Sequence, residues 1–216
     1  MLVMETTENS AFRVGWPAIS FCSFLIGLAY YFSSSYPYYY LDYTFRVAEN
    51  FLRGGIGFAE QPPWWLNEFV PYDGLYYSVF PLGSVLTMLP FALLKIAGLI
   101  SEMPAAFIAA LIAVFSSVFL FLIGDRYEIS RGRRVLMVLG MLFGTWMWTN
   151  LAFGGAWQLA LGFAMAGELG AIYFTAYDRR PFIAGLFFAL ALGNRTEVLV
   201  TVTVFFFFLV RRRDGD

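Results

Sequence analysis

The sequence predicts an all-α polytopic membrane protein, with about six transmembrane helices and two external juxtamembrane helices in one module over residues 1–216. Three observations lead there. Apolar residues make up 60% of the chain and charged ones only 13%, the balance of a protein solvated by lipid. Several apolar runs reach membrane-spanning length. Inside a bilayer each backbone N–H and C=O must be satisfied within its own segment, so those runs read as helices. Finally, the polar residues gather in one stretch, residues 36–103. It holds Asp42, Glu49, Glu60, Glu68, Asp73 and Glu102, six of the fifteen acids, among tyrosines and tryptophans.

The same composition excludes several functions. A net charge of −1 without a basic stripe argues against a nucleic-acid partner. Histidine is absent, and with it the commonest general base and metal ligand. Cys22 is alone, so the chain has no disulfide framework or cysteine metal cluster of its own.

Along the chain, residues 16–35 form the first apolar span, too long for the core of a signal peptide. Residues 41–53 place Leu41, Phe45, Ala48 and Leu52 on one helical face. Asp42/Arg46 and Glu49/Arg53 form i,i+4 pairs on the other, the pattern of a helix lying in the interface. Gly54, Gly55 and Gly57 end it. Residues 81–100 are apolar but contain Pro90 and Lys95. The later spans are residues 104–124, 135–150, 157–177, 181–193 and 198–210, the last two separated by Asn194, Arg195, Thr196 and Glu197.

The positive-inside rule chooses the topology. If residues 81–100 dip in and return without crossing, then Arg13, the cluster Arg126, Arg131, Arg133 and Arg134, the pair Arg179 and Arg180, and Arg211, Arg212 and Arg213 all face the cytoplasm. Those are ten of the fourteen basic residues; Arg46, Arg53, Lys95 and Arg195 stay outside. If the segment crosses, every cluster after residue 125 moves outside. The first arrangement gives six crossings in the plasma (cytoplasmic) membrane, both termini in the cytoplasm, and one external region over residues 36–103.

A first span followed by an external aspartate, Asp42, at the head of an interfacial helix with Ala48 and a Gly54-Gly55 end resembles the GT-C superfamily of membrane glycosyltransferases. The protein O-mannosyltransferases and the aminoarabinose transferases of lipid A belong to it. The run Asp73-Gly74-Leu75-Tyr76-Tyr77-Ser78-Val79-Phe80-Pro81-Leu82 is similar to the element that opens a second juxtamembrane helix in that superfamily. Trp157 and residues 189–195, small residues leading to Arg195, also resemble it.

The resemblance implies a polyprenyl-phosphate sugar as donor, membrane lipid as surroundings, and inverting transfer to an acceptor hydroxyl. It makes Asp42 the general base and Arg195 the contact to the donor phosphate. Arg46, Glu49, Asp73, Tyr76, Tyr77 and Glu197 would support them. No cofactor is required by the residues, no metal ligand set can be assembled, and dependence on a divalent metal stays open. Residues 149–156 lack the second external acid common in the superfamily. Its members usually continue past six spans, so a partner subunit or a further carboxyl-terminal part is expected.

The residues by themselves leave other readings open. Asp42 could cap its helix and pair with Arg46. Arg195 could pair with Glu197 or anchor the chain at the interface; a charge stranded between two apolar runs is otherwise a functional candidate. Glu168, deep in an apolar span, reads as half of a hydrogen bond to another helix. The external aromatics read as interfacial anchors. The rival function is a non-catalytic membrane protein, either a small transporter or a lipid-binding accessory subunit. No internal repeat of the kind transporters carry is visible.

Overall fold

The computed structural model describes residues 14–34, 41–127 and 129–210, except the side chain of residue 209. The tyrosine belt at Tyr38, Tyr39 and Tyr40, as well as Arg13 and Arg211, Arg212 and Arg213, lie outside the described residues.

The fold is predominantly helical. Helix α1 (Trp16–Ser33) runs along α5 (Ala105–Gly124), which packs in turn on α8 (Ala156–Ile172). Small side chains are buried on these helices: Ala109, Ala113, Ser116 and Ser117 on α5, and Gly162, which meets Ile112 of α5, and Ala164 on α8. Without a hydrophobic force between helices in lipid, such residues let backbones approach closely enough for dispersion to hold them. The outward faces carry Phe21, Phe24 and Phe32 on α1, Phe182 and Leu186 on α9 (Pro181–Asn194), and Phe206 and Phe207 on α10 (Val202–Val210), all exposed. That is the surface a lipid solvent needs.

Among the described residues, three helical stretches are long and apolar enough to cross a membrane: α1 with 18 residues, α5 with 20, and Ala156–Tyr177 with 22. The last comprises α8 and a π-helical turn, Tyr173–Tyr177. The run expected as one span over residues 135–150 is instead two helices, α6 (Arg131–Phe143) and α7 (Trp146–Phe153), bent by 52°. Thr145 explains the break, because its hydroxyl accepts from Met147 N at 3.3 Å and so starts a new helix. Together they would make a fourth span. Helix α9 has 14 residues, about 21 Å at about 1.5 Å per residue, short of a core about 30 Å thick. The final run is also divided. Thr196–Thr201 winds as a 3₁₀ helix before α10 begins, in a segment dense in β-branched residues. Helix length alone thus carries three or four crossings rather than six.

Residues 41–103 depart from an all-helical reading. Helix α2 (Tyr43–Leu52) forms within the expected run and buries Phe45 and Ala48 of the expected face, together with Val47, whereas Leu52 of that face is exposed. Gly54 at φ +83° turns the chain out of it. Strands β1 (Phe69–Tyr72) and β2 (Leu75–Ser78) then form an antiparallel hairpin. Asp73 and Gly74, at φ +47° and +76°, make its two-residue turn. Asp73, Tyr76 and Tyr77 therefore belong to a hairpin, not to the head of a helix. The second juxtamembrane helix starts only after Pro81, and it is split into α3 (Leu82–Leu86) and α4 (Leu89–Ile96). Pro90 lacks an amide proton and its ring crowds the carbonyl four residues back, which stops one helix and opens the next. Both short helices fold back onto α2, and α3 also meets α9, where Gly83 touches the backbone of Gly193.

Two polar links tie the remaining helices. Glu168 on α8 faces the Thr201 hydroxyl at 3.3 Å, a contact of the expected kind in which the single hydroxyl proton is shared with Val198 O at 2.7 Å. At the far end of α5, fully buried Arg134 pairs with Asp125, whose carboxylate also accepts from Val14 N at 3.3 Å.

Candidate functional site

Helix α2, the hairpin, α8 and α9 converge on Tyr43, the residue after Asp42. Its ring is 2% exposed and stands edge-on to Phe80 at 5.1 Å and Phe69 at 6.3 Å. Phe80 meets Trp157 at 4.2 Å, and the Arg195 guanidinium lies 4.9 Å from the Trp157 ring centroid. This ladder connects α2, the end of the hairpin, the first turn of α8 and the end of α9. Edge-to-face aromatic contacts and a cation over an indole are each favourable by about 0.5–1.5 kcal/mol. A backbone bond from Ala156 N to Leu41 O, 2.7 Å, fixes α8 against the start of α2.

Arg195 takes extended backbone at the junction of α9 and the 3₁₀ segment. Its expected partner Glu197 is exposed in the first 3₁₀ turn. Among the described residues, no carboxylate lies within ion-pair distance of Arg195, so the Arg195–Glu197 pairing does not form. The nearby acid is Glu68, which accepts from Trp157 Nε1 at 2.7 Å. Glu68 was not singled out as a site residue from sequence; a buried indole N–H in need of an acceptor was the signal. The Tyr43 hydroxyl is buried without a hydrogen-bond partner among the described residues. Burial and then the Glu68 charge push its pKa well above the ordinary tyrosine value.

On the other side of Tyr43 lies a cavity of about 300 Å³. Asp42 does not line it and is linked to it through Arg46. Its side chain does not cap α2; Oδ1 instead accepts from Arg46 Nε at 2.7 Å, and Arg46 lines the cavity. Glu49 is held from two directions, by Arg53 Nη2 and by Lys95 Nζ, both at 2.8 Å. The second bond ties α2 to α4 across 46 residues of sequence, a link that sequence spacing does not reveal. Asp73, Tyr76, Tyr77 and Glu197 do not line this cavity. No described contact joins Asp42 to Arg195; they flank Tyr43. Among the described residues, no group of three or more His, Cys, Asp or Glu side chains converges as a metal site would require.

No protein-family model, curated protein or solved structure matches this chain.

Partial burial pushes the Glu49 carboxyl up, but the hydrogen bonds and charges of Lys95 and Arg53 outweigh it and hold it below its ordinary value of 4.5. A lowered carboxylate contributes stability that is present above its ordinary value and lost as pH falls through the lowered one. Glu49→Gln is therefore expected to melt earlier than wild type at neutral pH. The difference should close under acid conditions. Thermal melts in detergent across pH check this, and a gap independent of pH would contradict it.

Proposed function

We propose that this module transfers a sugar from a polyprenyl-phosphate donor to an acceptor hydroxyl at the external face of the membrane, with inversion. The reading is supported chiefly by Arg195. Its guanidinium is half-buried on Trp157, at the junction of two apolar helical segments, and no carboxylate of the described residues lies within ion-pair distance of it. A cation so placed favours a phosphate anion at the bilayer surface.

The chemistry needs few groups. The acceptor oxygen attacks the anomeric carbon while its proton passes to the Asp42 carboxylate. The bond from that carbon to the phosphate oxygen breaks, and polyprenyl phosphate leaves with its charge facing Arg195. Arg46 orients Asp42 through the 2.7 Å bond. Glu68 orients Trp157, and Trp157 carries Arg195.

Six crossings, both termini in the cytoplasm and residence in the plasma membrane complete the proposal. The return of α3 and α4 onto α2, with Lys95 bonded to Glu49, supports a segment 81–100 that stays on the same side as α2. In a background lacking Cys22, single cysteines at positions 74 and 101 should react with an impermeant label from the same side. Labelling from opposite sides would reject the topology.

The test of the donor site is Arg195→Gln. Binding of polyprenyl phosphate in proteoliposomes is expected to weaken about tenfold or more, the scale of a lost hydrogen bond to a charged group. Arg195→Lys should lose less, keeping the charge without the bidentate fork. Unchanged binding by the glutamine variant would remove the observation on which the reading rests. A lipid-binding accessory subunit would share the Arg195 site, but it would turn over no donor.

A further inference from the structure

We propose that the cavity between α2, α4 and the segment leading into β1 is a saccharide site, and that the acceptor of the proposed transfer is a sugar hydroxyl. The inference rests on the transferase reading above.

Arg46, Arg53 and Lys95 line the cavity, and each already faces a carboxylate: Arg46 bonds Asp42, while Arg53 and Lys95 share Glu49. Glu60 adds a further acid on the exposed side of the lining. The lining itself carries three cations against two carboxylates, Glu49 and Glu60, and Asp42 just outside it pairs with Arg46, so each cation is answered by an acid and little charge is left to select an ionic occupant. The occupant that suits such a lining is neutral and rich in hydrogen-bonding groups.

The remaining groups narrow the class. Phe58 and Phe69, 5.5 Å apart and edge-to-face, form an apolar wall with Tyr43. A pyranose presents C–H faces to such a wall and a rim of hydroxyls to planar polar groups. Gln61 and Glu60 supply those groups, with the N–H donors that Arg53 and Lys95 keep after bonding Glu49. Asn50, also on the lining, holds the loop in shape by donating to Gly57 O at 3.0 Å. The volume, about 300 Å³, is at the small end for a ligand pocket, room for a small saccharide rather than a folded protein segment.

Position gives the site its role. Arg46 touches both the cavity and Asp42, so a hydroxyl at this end of the cavity lies near the proposed base. Tyr43 also lines the cavity and leads along the aromatic ladder to Arg195, where the donor phosphate is proposed to sit. Acceptor and donor would therefore approach Asp42 from two sides.

The experiment uses the full chain in nanodiscs and saturation-transfer NMR. The probes are methyl glycosides of glucose, galactose, mannose and N-acetylglucosamine and their β-linked disaccharides, with farnesyl phosphate binding measured in parallel. At least one saccharide should receive saturation, with little change between low and high salt because the ligand is neutral. Glu60→Ala/Gln61→Ala, two exposed positions, should weaken that binding about tenfold and leave farnesyl phosphate bound. Arg195→Gln should do the reverse. Saccharide signals that are absent, or unchanged in the double variant, or strongly salt-dependent, would overturn the saccharide site while intact farnesyl phosphate binding left the transferase reading standing. Loss of farnesyl phosphate binding by the wild-type chain would instead count against that reading itself.

Discussion

Asp42→Asn is expected to fold, to bind donor as wild type does, and to lose about a hundredfold or more in transfer rate, the usual scale for a positioned base. Asparagine keeps the shape of the side chain and an oxygen that can accept from Arg46 Nε, so the 2.7 Å contact can survive. It cannot accept a proton. The side chain makes no capping bond to α2, which means the substitution removes no cap and should cost little stability. Initial rates of sugar transfer, paired with a thermal melt and a donor-binding curve, separate chemistry from folding. Full activity in the variant would reduce Asp42 to a surface partner of Arg46. The base would then be sought first at Glu49, then at Asp73. Of these, Glu49 lines the cavity while Asp73 sits exposed at the hairpin turn.

The largest effect on stability is expected far from that site, at Arg134. Its side chain is completely buried, pairs with Asp125 and reaches toward Ile129 O at 3.4 Å. Asp125 in turn receives Val14 N ahead of α1, so the pair joins the start of α1 to the end of α5 and the first turn of α6. Arg134→Met leaves Asp125 largely buried without its cation. Such a loss costs about 3–5 kcal/mol, because the stranded charge keeps its desolvation penalty. Replacing both partners, Arg134→Met with Asp125→Leu, should recover much of the loss, since neither charge is then buried. Thermal unfolding in detergent distinguishes the two. A single variant within about 1 kcal/mol of wild type would show that the pair contributes little.

What could be read in advance follows from the range of each interaction. The i,i+4 spacing of Asp42/Arg46 and Glu49/Arg53 lies within one helical turn, and both pairs form. The apolar runs of α1, α5 and α8 signal themselves by length. The hairpin was also written locally: Asp73-Gly74 between strand-forming tyrosines is a strong type I′ turn signal, outweighed by the resemblance that made those residues the start of a helix. The bend at Thr145 likewise had its signal in a glycine followed by a capping residue. Long-range partners are a different matter. Nothing near Trp157 names Glu68, 89 residues away, and nothing near Glu49 names Lys95. Such pairs are decided by how α3 and α4 fold back and by where α8 begins, which depends on packing that no single stretch encodes. Lys95 alone offered a hint, as an isolated cation in an apolar run.

The most direct test of the account is turnover of the donor itself. Proteoliposomes containing this chain would be given polyprenyl phosphate carrying a radiolabelled sugar, with saccharide acceptors present, and the label in lipid and aqueous fractions followed with time. The account expects label to leave the lipid fraction with wild-type protein, and to remain there with Asp42→Asn or Arg195→Gln. Donor that binds and is never consumed would contradict it, and would make the Arg195 site that of a lipid-binding subunit.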